Sequence, residues 1–98
     1  MANVLKKGLA RNLREIRIHL CQTASSSNGV RQFIEENYVA MKKANPSFPI
    51  LIRECSGIQP KLYTRFARGE ETHAELTDMT SAQVNRTLQK LVDEAPQA

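Results

Sequence analysis

REIRIHLCQTASSSNGVRQFIEENYVAMKKANPSFPILIREC, Arg14–Cys55, is the stretch from which the fold can be read. Its first part alternates strictly, with Ile16, Ile18 and Leu20 on one side of an extended segment and Glu15, Arg17 and His19 on the other. A period of two is what a strand with one buried face requires. Gln22–Gly29 is small and polar, and its side chains compete for backbone hydrogen bonds, so a loop is expected there with Ser27 or Asn28 capping a helix. Val30, Phe33, Ile34, Tyr38 and Met41 then recur at spacings of three and four, while Arg31, Glu35, Glu36, Lys42 and Lys43 stay wet, which predicts a helix to about Ala44. Asn45-Pro46 ends it, because a residue before proline is pushed out of the α region. Ile50, Leu51 and Ile52 form a continuous apolar run expected of a buried parallel strand, closing at Arg53, Glu54 and Cys55. The stretch is therefore a β-α-β unit.

Beyond it, Ser56-Gly57 breaks the chain, and after Gln59-Pro60 the segment Leu62–Phe66 reads as a third strand. Gly69 supplies a turn, and Thr72–Leu76 pairs back as an antiparallel hairpin across Arg68–Glu71. Thr80 and Gln83 match a capping box, with Met79 and Val84 placed as a hydrophobic staple. Val84, Leu88, Leu91 and Val92 make the stripe of a final helix, and Pro96 marks its end. The order is β-α-β, then β-β-α.

The 98 residues are one domain's worth, and a domain this small buries only a modest share of its surface alone, so a permanent partner would help it. The net charge of +4 lies at one end. Lys6, Lys7, Arg11 and Arg14 precede the first acidic residue, and from Glu15 onward ten basic residues balance ten acidic ones. Residues 1–13 thus form a basic arm before a near-neutral domain over 14–95. With Val4, Leu5, Leu9 and Leu13 at roughly helical spacing, the arm reads equally as a mitochondrial import signal and as a solvated amphipathic segment. No apolar run approaches the ~20 residues of a membrane-crossing helix, and no secretory apolar core with a cleavage site is evident.

The order of elements is similar to the thioredoxin fold, an α/β class in which a four-stranded mixed sheet is flanked by helices. A right-handed crossover follows once the first two strands are parallel. In that fold a cis proline precedes the third strand, and Pro60 occupies the matching place. More narrowly, LREIRIHLCQ (Leu13–Gln22), GVRQFIEENY (Gly29–Tyr38) and NPSFPILIRECSGIQPKLYTRFARGEE (Asn45–Glu71) resemble the small thioredoxin-like accessory subunits of mitochondrial respiratory complex I, the NADH:ubiquinone oxidoreductase. The resemblance spans roughly residues 9–93. It implies a peripheral protein on the matrix side of the inner membrane. Its partners would be other complex I subunits of the matrix arm, its role assembly or stability rather than electron transfer, and it would need no cofactor. A homo-oligomer is not expected.

A thioredoxin-type enzyme needs two thiols two residues apart after the first strand. Cys21 stands in that region, but the partner position is Ala24, so no catalytic residues are assigned. Cys55 ends the second strand, beside the end of the first in such a fold, and a Cys21–Cys55 disulfide requires Cα atoms within ~7 Å. A reducing compartment favours two free thiols. The resemblance narrows that preference, because members of that family can form such a bridge. His19 and His73 lie on different strands without a further ligand at metal spacing, and no metal site is assigned. Glu35 and Glu36 point in different directions on a solvated helix face. Lys61, Arg65 and Arg68 interleave with Tyr63 and Phe66 as an RNA contact would, but strand alternation puts Lys61, Tyr63 and Arg65 on one face and reads it as a protein-contact or solvated surface. A ribosomal protein binding rRNA and a monothiol redox protein using Cys21 are the competing functions; nucleic-acid binding is not expected of the leading one.

Overall fold

The computed structural model describes residues 13–94. Six elements appear in the expected order: β1 (Glu15–Leu20), α1 (Asn28–Ala44), β2 (Ile50–Glu54), β3 (Lys61–Arg65), β4 (Glu71–Glu75) and α2 (Ser81–Asp93). Short 3-10 turns at Ser25–Ser27 and Ala67–Gly69 precede α1 and β4. The strands form one sheet ordered β2-β1-β3-β4, with β1 parallel to β2 and antiparallel to β3, and β3 antiparallel to β4. This is a four-stranded mixed α/β sheet with two helices.

Strand alternation decides which face the helices cover. Ile16, Ile18, Leu20, Ile50, Leu62 and Thr64 point to one side and are buried, the apolar ones in one cluster with Val30, Phe33 and Met41 of α1 and Val84 and Leu88 of α2. Glu15, Arg17, His19, Lys61 and Tyr63 alternate with them and remain partly exposed. Both helices therefore pack on one face, and among the described residues no element covers the other, the open face. The link from β2 to β3, residues 55–60, is too short for a helix to cross it.

Three expectations change on contact with the structure. β2 is parallel to β1 as expected, yet among the described residues it is an edge strand with no strand paired beyond it, and only Ile50 of it is buried. Ser27 occupies the position before α1 but does not cap the helix; its hydroxyl accepts from Cys21 N–H at 3.1 Å instead. Pro60 is not preceded by a cis bond, since every described peptide bond is trans. The trans form is the lower in energy by about 0.5–1 kcal/mol. It carries the chain into β3 with the Pro60 carbonyl accepting from Leu76 N–H at 2.9 Å, just past the Lys61–Glu75 pair.

The α2 start is as read. Gln83 N–H donates to Thr80 Oγ1 at 3.2 Å, and Thr80 N–H donates to Gln83 Oε1 at 2.9 Å, a complete capping box. Leu13, placed at the end of the basic arm by its sequence, is fully buried in the core, so the packed body begins before Arg14. The remainder of the arm and Pro96 lie outside the described residues.

Candidate functional site

At the carboxyl ends of β1 and β2 the chain brings its two cysteines to neighbouring positions. Leu20 pairs with Glu54, and Cys55 N–H donates to the Leu20 carbonyl at 3.0 Å, so Cys21 and Cys55 follow directly from the last bonded residues of adjacent strands. Both are free thiols, with Cys21 buried and Cys55 exposed. Their sulfurs have different surroundings. Cys21 Sγ accepts from Ala24 N–H and Gly57 N–H, each at 3.3 Å, and lies 3.6 Å from Thr23 Oγ1. Among the described residues Cys55 Sγ has only the Ser56 carbonyl, at 3.9 Å.

Backbone N–H groups aimed at one sulfur favour its anion. Those of Thr23, Gly57 and Ala24, with the Thr23 hydroxyl, bring the Cys21 thiol from its ordinary 9.0 down to about 6. The position where a dithiol enzyme carries its second sulfur is Ala24, whose N–H helps to hold this thiolate. Arg31 and Ser27 fix the same loop, Arg31 by donating to the Cys21 carbonyl at 2.7 Å and to the Asn28 side-chain oxygen.

A thiol whose folded pKa is depressed stabilises the fold above its unfolded pKa, and that contribution is lost as pH falls through the folded value. The melting temperature of the full chain is therefore expected to rise between pH 6 and pH 9, and C21S is expected to flatten the rise above pH 7. His19, whose pKa is also lowered, contributes with the same sign but below its ordinary 6.5. An unchanged slope in C21S would show that Cys21 is not the titrating group. Replacing Ser27 with alanine leaves the buried Cys21 N–H without its acceptor, and urea unfolding is expected to show a loss of about 1–3 kcal/mol.

The open sheet face is the second place where polar side chains converge. Register lines them up in three rows. Glu15, Arg65 and Glu71 form the first; Leu51, Arg17, Tyr63 and His73 the second; Arg53, His19, Lys61 and Glu75 the third. Arg17 bridges Glu71 at 3.0 Å and Glu15 at 3.9 Å, and Arg65 reaches Glu15 at 3.5 Å. The Arg17 guanidinium also sits 4.9 Å from the Tyr63 ring centre, a cation–π distance. His19 and His73 flank that ring at 4.8 and 5.6 Å, so the two histidines serve an aromatic ledge across β1, β3 and β4. Burial, then Arg17, Arg53 and Lys61, hold His19 below its ordinary pKa.

Other singled-out residues fall elsewhere. Glu36 accepts from Ser81 at 2.7 Å and Gln32 at 3.0 Å, tying α1 to the start of α2, and these bonds lower its pKa. Arg68 and Gly69 shape the β3–β4 turn with φ of 69° and 76°, and Gly57 turns the chain beneath Cys21 with φ of 79°. Phe66 belongs to the buried cluster, away from Lys61 and Tyr63. Sequence spacing missed Arg17 and Arg53, which only the register between strands places beside Tyr63 and His19.

Fold and site together define a small two-layer α/β domain with one helix-covered face, one open polar face and a hydrogen-bonded thiol at its strand ends. Residues 30–81 match the family described as Mitochondrial ribosomal protein L51 / S25 / CI-B8 domain, and the chain belongs to that family. It is 49% identical over 85 residues to NADH dehydrogenase [ubiquinone] 1 alpha subcomplex subunit 2 of Mus musculus, covering 87% of this chain and 86% of that one. The Arabidopsis thaliana protein of the same name is 42% identical over 84 residues, covering 86% and 87%. The NADH-ubiquinone oxidoreductase 10.5 kDa subunit of Neurospora crassa is 44% identical over 82 residues, covering 84% and 87%. Similarity to the Large ribosomal subunit protein mL43 of Mus musculus is lower, 22% over 98 residues, and spans 54% of that protein.

Proposed function

We infer that this chain is an accessory subunit of respiratory complex I. The observation that carries the inference is identity of 42–49% along almost the whole length of relatives from an animal and a plant that bear a complex I subunit's name, with a fungal relative at 44%. Within it, we propose a thioredoxin-like scaffold that carries no reaction of its own and supports assembly or stability of the matrix arm, peripheral to the inner membrane on its matrix side. The strand order β2-β1-β3-β4 and the β-α-β then β-β-α chain order support the fold. Ala24 in the place of a second thiol supports a non-catalytic role. A Cys21–Cys55 bridge belongs to the same proposal as an oxidised form of the scaffold. Alkylation of both thiols in protein taken from mitochondria without reductant, read by intact mass, would remove it.

The experiment for the function is native-gel fractionation of mitochondria with identification of this chain in the bands. It is expected to migrate with NADH dehydrogenase activity. Migration with ribosomal subunits would replace the inference with the ribosomal one, which the 22% similarity to the mL43 protein keeps as the second reading.

A further inference from the structure

The open sheet face has an uneven distribution of charge. In its first two rows every cation is answered: Glu15 and Glu71 take Arg17, and Glu15 takes Arg65. The third row is different. Arg53, His19 and Lys61 stand directly beside one another on β2, β1 and β3, and among the described residues neither Arg53 nor Lys61 makes an ion pair or side-chain hydrogen bond. Glu75 faces Lys61 across the hairpin without pairing to it, and Glu54 alternates to the opposite face from Arg53. Two cations, Arg53 and Lys61, thus flank the His19 ring with no counter-charge paired to either, and a carboxylate seated over the row would supply one.

We propose that the open sheet face docks a neighbouring protein, and that an acidic side chain of that protein seats over the Arg53–His19–Lys61 row while its apolar surface lies on the ledge of Tyr63 and Leu51. The ledge has the composition of an interface centre, with a tyrosine ring, an arginine held against it and few loose charges. The cationic row supplies the electrostatic register. A nucleic acid would meet Glu15, Glu71 and Glu75 on the same face, and the body carries no excess of basic residues to offset them. A protein partner with one carboxylate placed at one end accommodates both signs. The proposal rests on the inference that the chain is a subunit of a larger assembly, and it identifies the surface and chemistry by which it joins.

The test is zero-length carbodiimide coupling of the intact assembly containing the full chain, followed by peptide mass spectrometry. Lys61 is expected to be recovered joined to an aspartate or glutamate of another polypeptide, and its acylation by a soluble reagent is expected to fall at least about tenfold relative to the isolated chain. The double variant R53Q/K61Q is expected to enter the assembly at least about tenfold less well while melting as the unaltered chain does. Lys61 acylated as fast in the assembly as in isolation, or undiminished entry of the double variant, overturns the docking surface. Ultraviolet crosslinking of Tyr63 to RNA overturns it in favour of nucleic acid. Migration of the chain away from complex I would instead sink the functional inference, an outcome read on the native gel before any variant is made.

Discussion

Gly29→Ala is expected to destabilise the domain by about 3 kcal/mol or more, at the upper end of what overpacking costs. Helix propensity alone predicts the opposite, because alanine is the better residue inside a helix by roughly 1 kcal/mol. Gly29 is the second residue of α1, and it lies against the backbone that leads into α2. A Cβ there would stand 1.8 Å from the Met79 carbonyl oxygen, 2.8 Å from its carbon and 3.0 Å from the Thr80 carbonyl carbon. The obstacle is main chain, not the end of a flexible side chain. That main chain is held by Asp78 N–H to the Ser26 carbonyl at 3.0 Å, by Met79 N–H to the Leu76 carbonyl at 3.1 Å, and by the capping box. Relief requires separating the starts of the two helices. In a domain of this size 1 kcal/mol moves the melting temperature by about 4–8 °C, so a fall of at least about 12 °C is the expected reading. A variant that melts with the unaltered chain would mean that the helix junction is looser than described.

The second large effect is at the centre of the core. Phe33 is the largest fully buried side chain, 1% exposed, and it belongs to the core cluster that unites residues of β1, β3, α1 and α2. Phe33→Ala removes its contacts and leaves a cavity that the close packing of two helices on one sheet face cannot collapse, and a loss of about 3–5 kcal/mol is expected. Urea unfolding checks it: the midpoint should fall while the slope stays constant, since the surface exposed on unfolding hardly changes. A loss below about 1.5 kcal/mol, the size of a tolerated volume-conserving swap, would contradict the placement of Phe33.

What the sequence disclosed and what it hid follow from the range of the interactions. The alternation of Ile16, Ile18 and Leu20, the three-four spacing from Val30 to Met41 and the Thr80–Gln83 box are local, and each element lies within a residue or two of where spacing puts it. The edge position of β2 was hidden, because Ile50–Ile52 is as apolar as a central strand and only the sheet order shows that no described strand pairs beyond it. Ser27 and Asn28 are both residue types that cap helices, so spacing alone offers either; the Cys21 N–H, six residues before Ser27, takes the Ser27 hydroxyl instead. The open face is the clearest case. Lys61, Tyr63 and Arg65 were legible as one side of a strand, but the partners that make the face, Arg17, His19 and Arg53, come from two other strands and depend on register.

The thiol end divides in the same way. Cys21 after β1 and the missing second thiol at Ala24 are plain in the sequence, whereas the hydrogen bonds that lower the Cys21 pKa come partly from Gly57, thirty-six residues away. That sulfur is held by main chain on both sides of the β1–β2 end. It therefore contributes to packing and local charge whether or not it reacts.

If the chain works through its shape and its open face, its sulfurs are dispensable for assembly. The direct measurement is complementation: cells lacking this chain are given the full-length double variant C21S/C55S, and complex I is followed on native gels by its NADH dehydrogenase activity. A complex I band restored to the level given by the unaltered chain is the expected result. A missing band, with the double variant present in mitochondria and melting as a folded protein, would contradict the scaffold role and return Cys21 and Cys55 to the centre of the function.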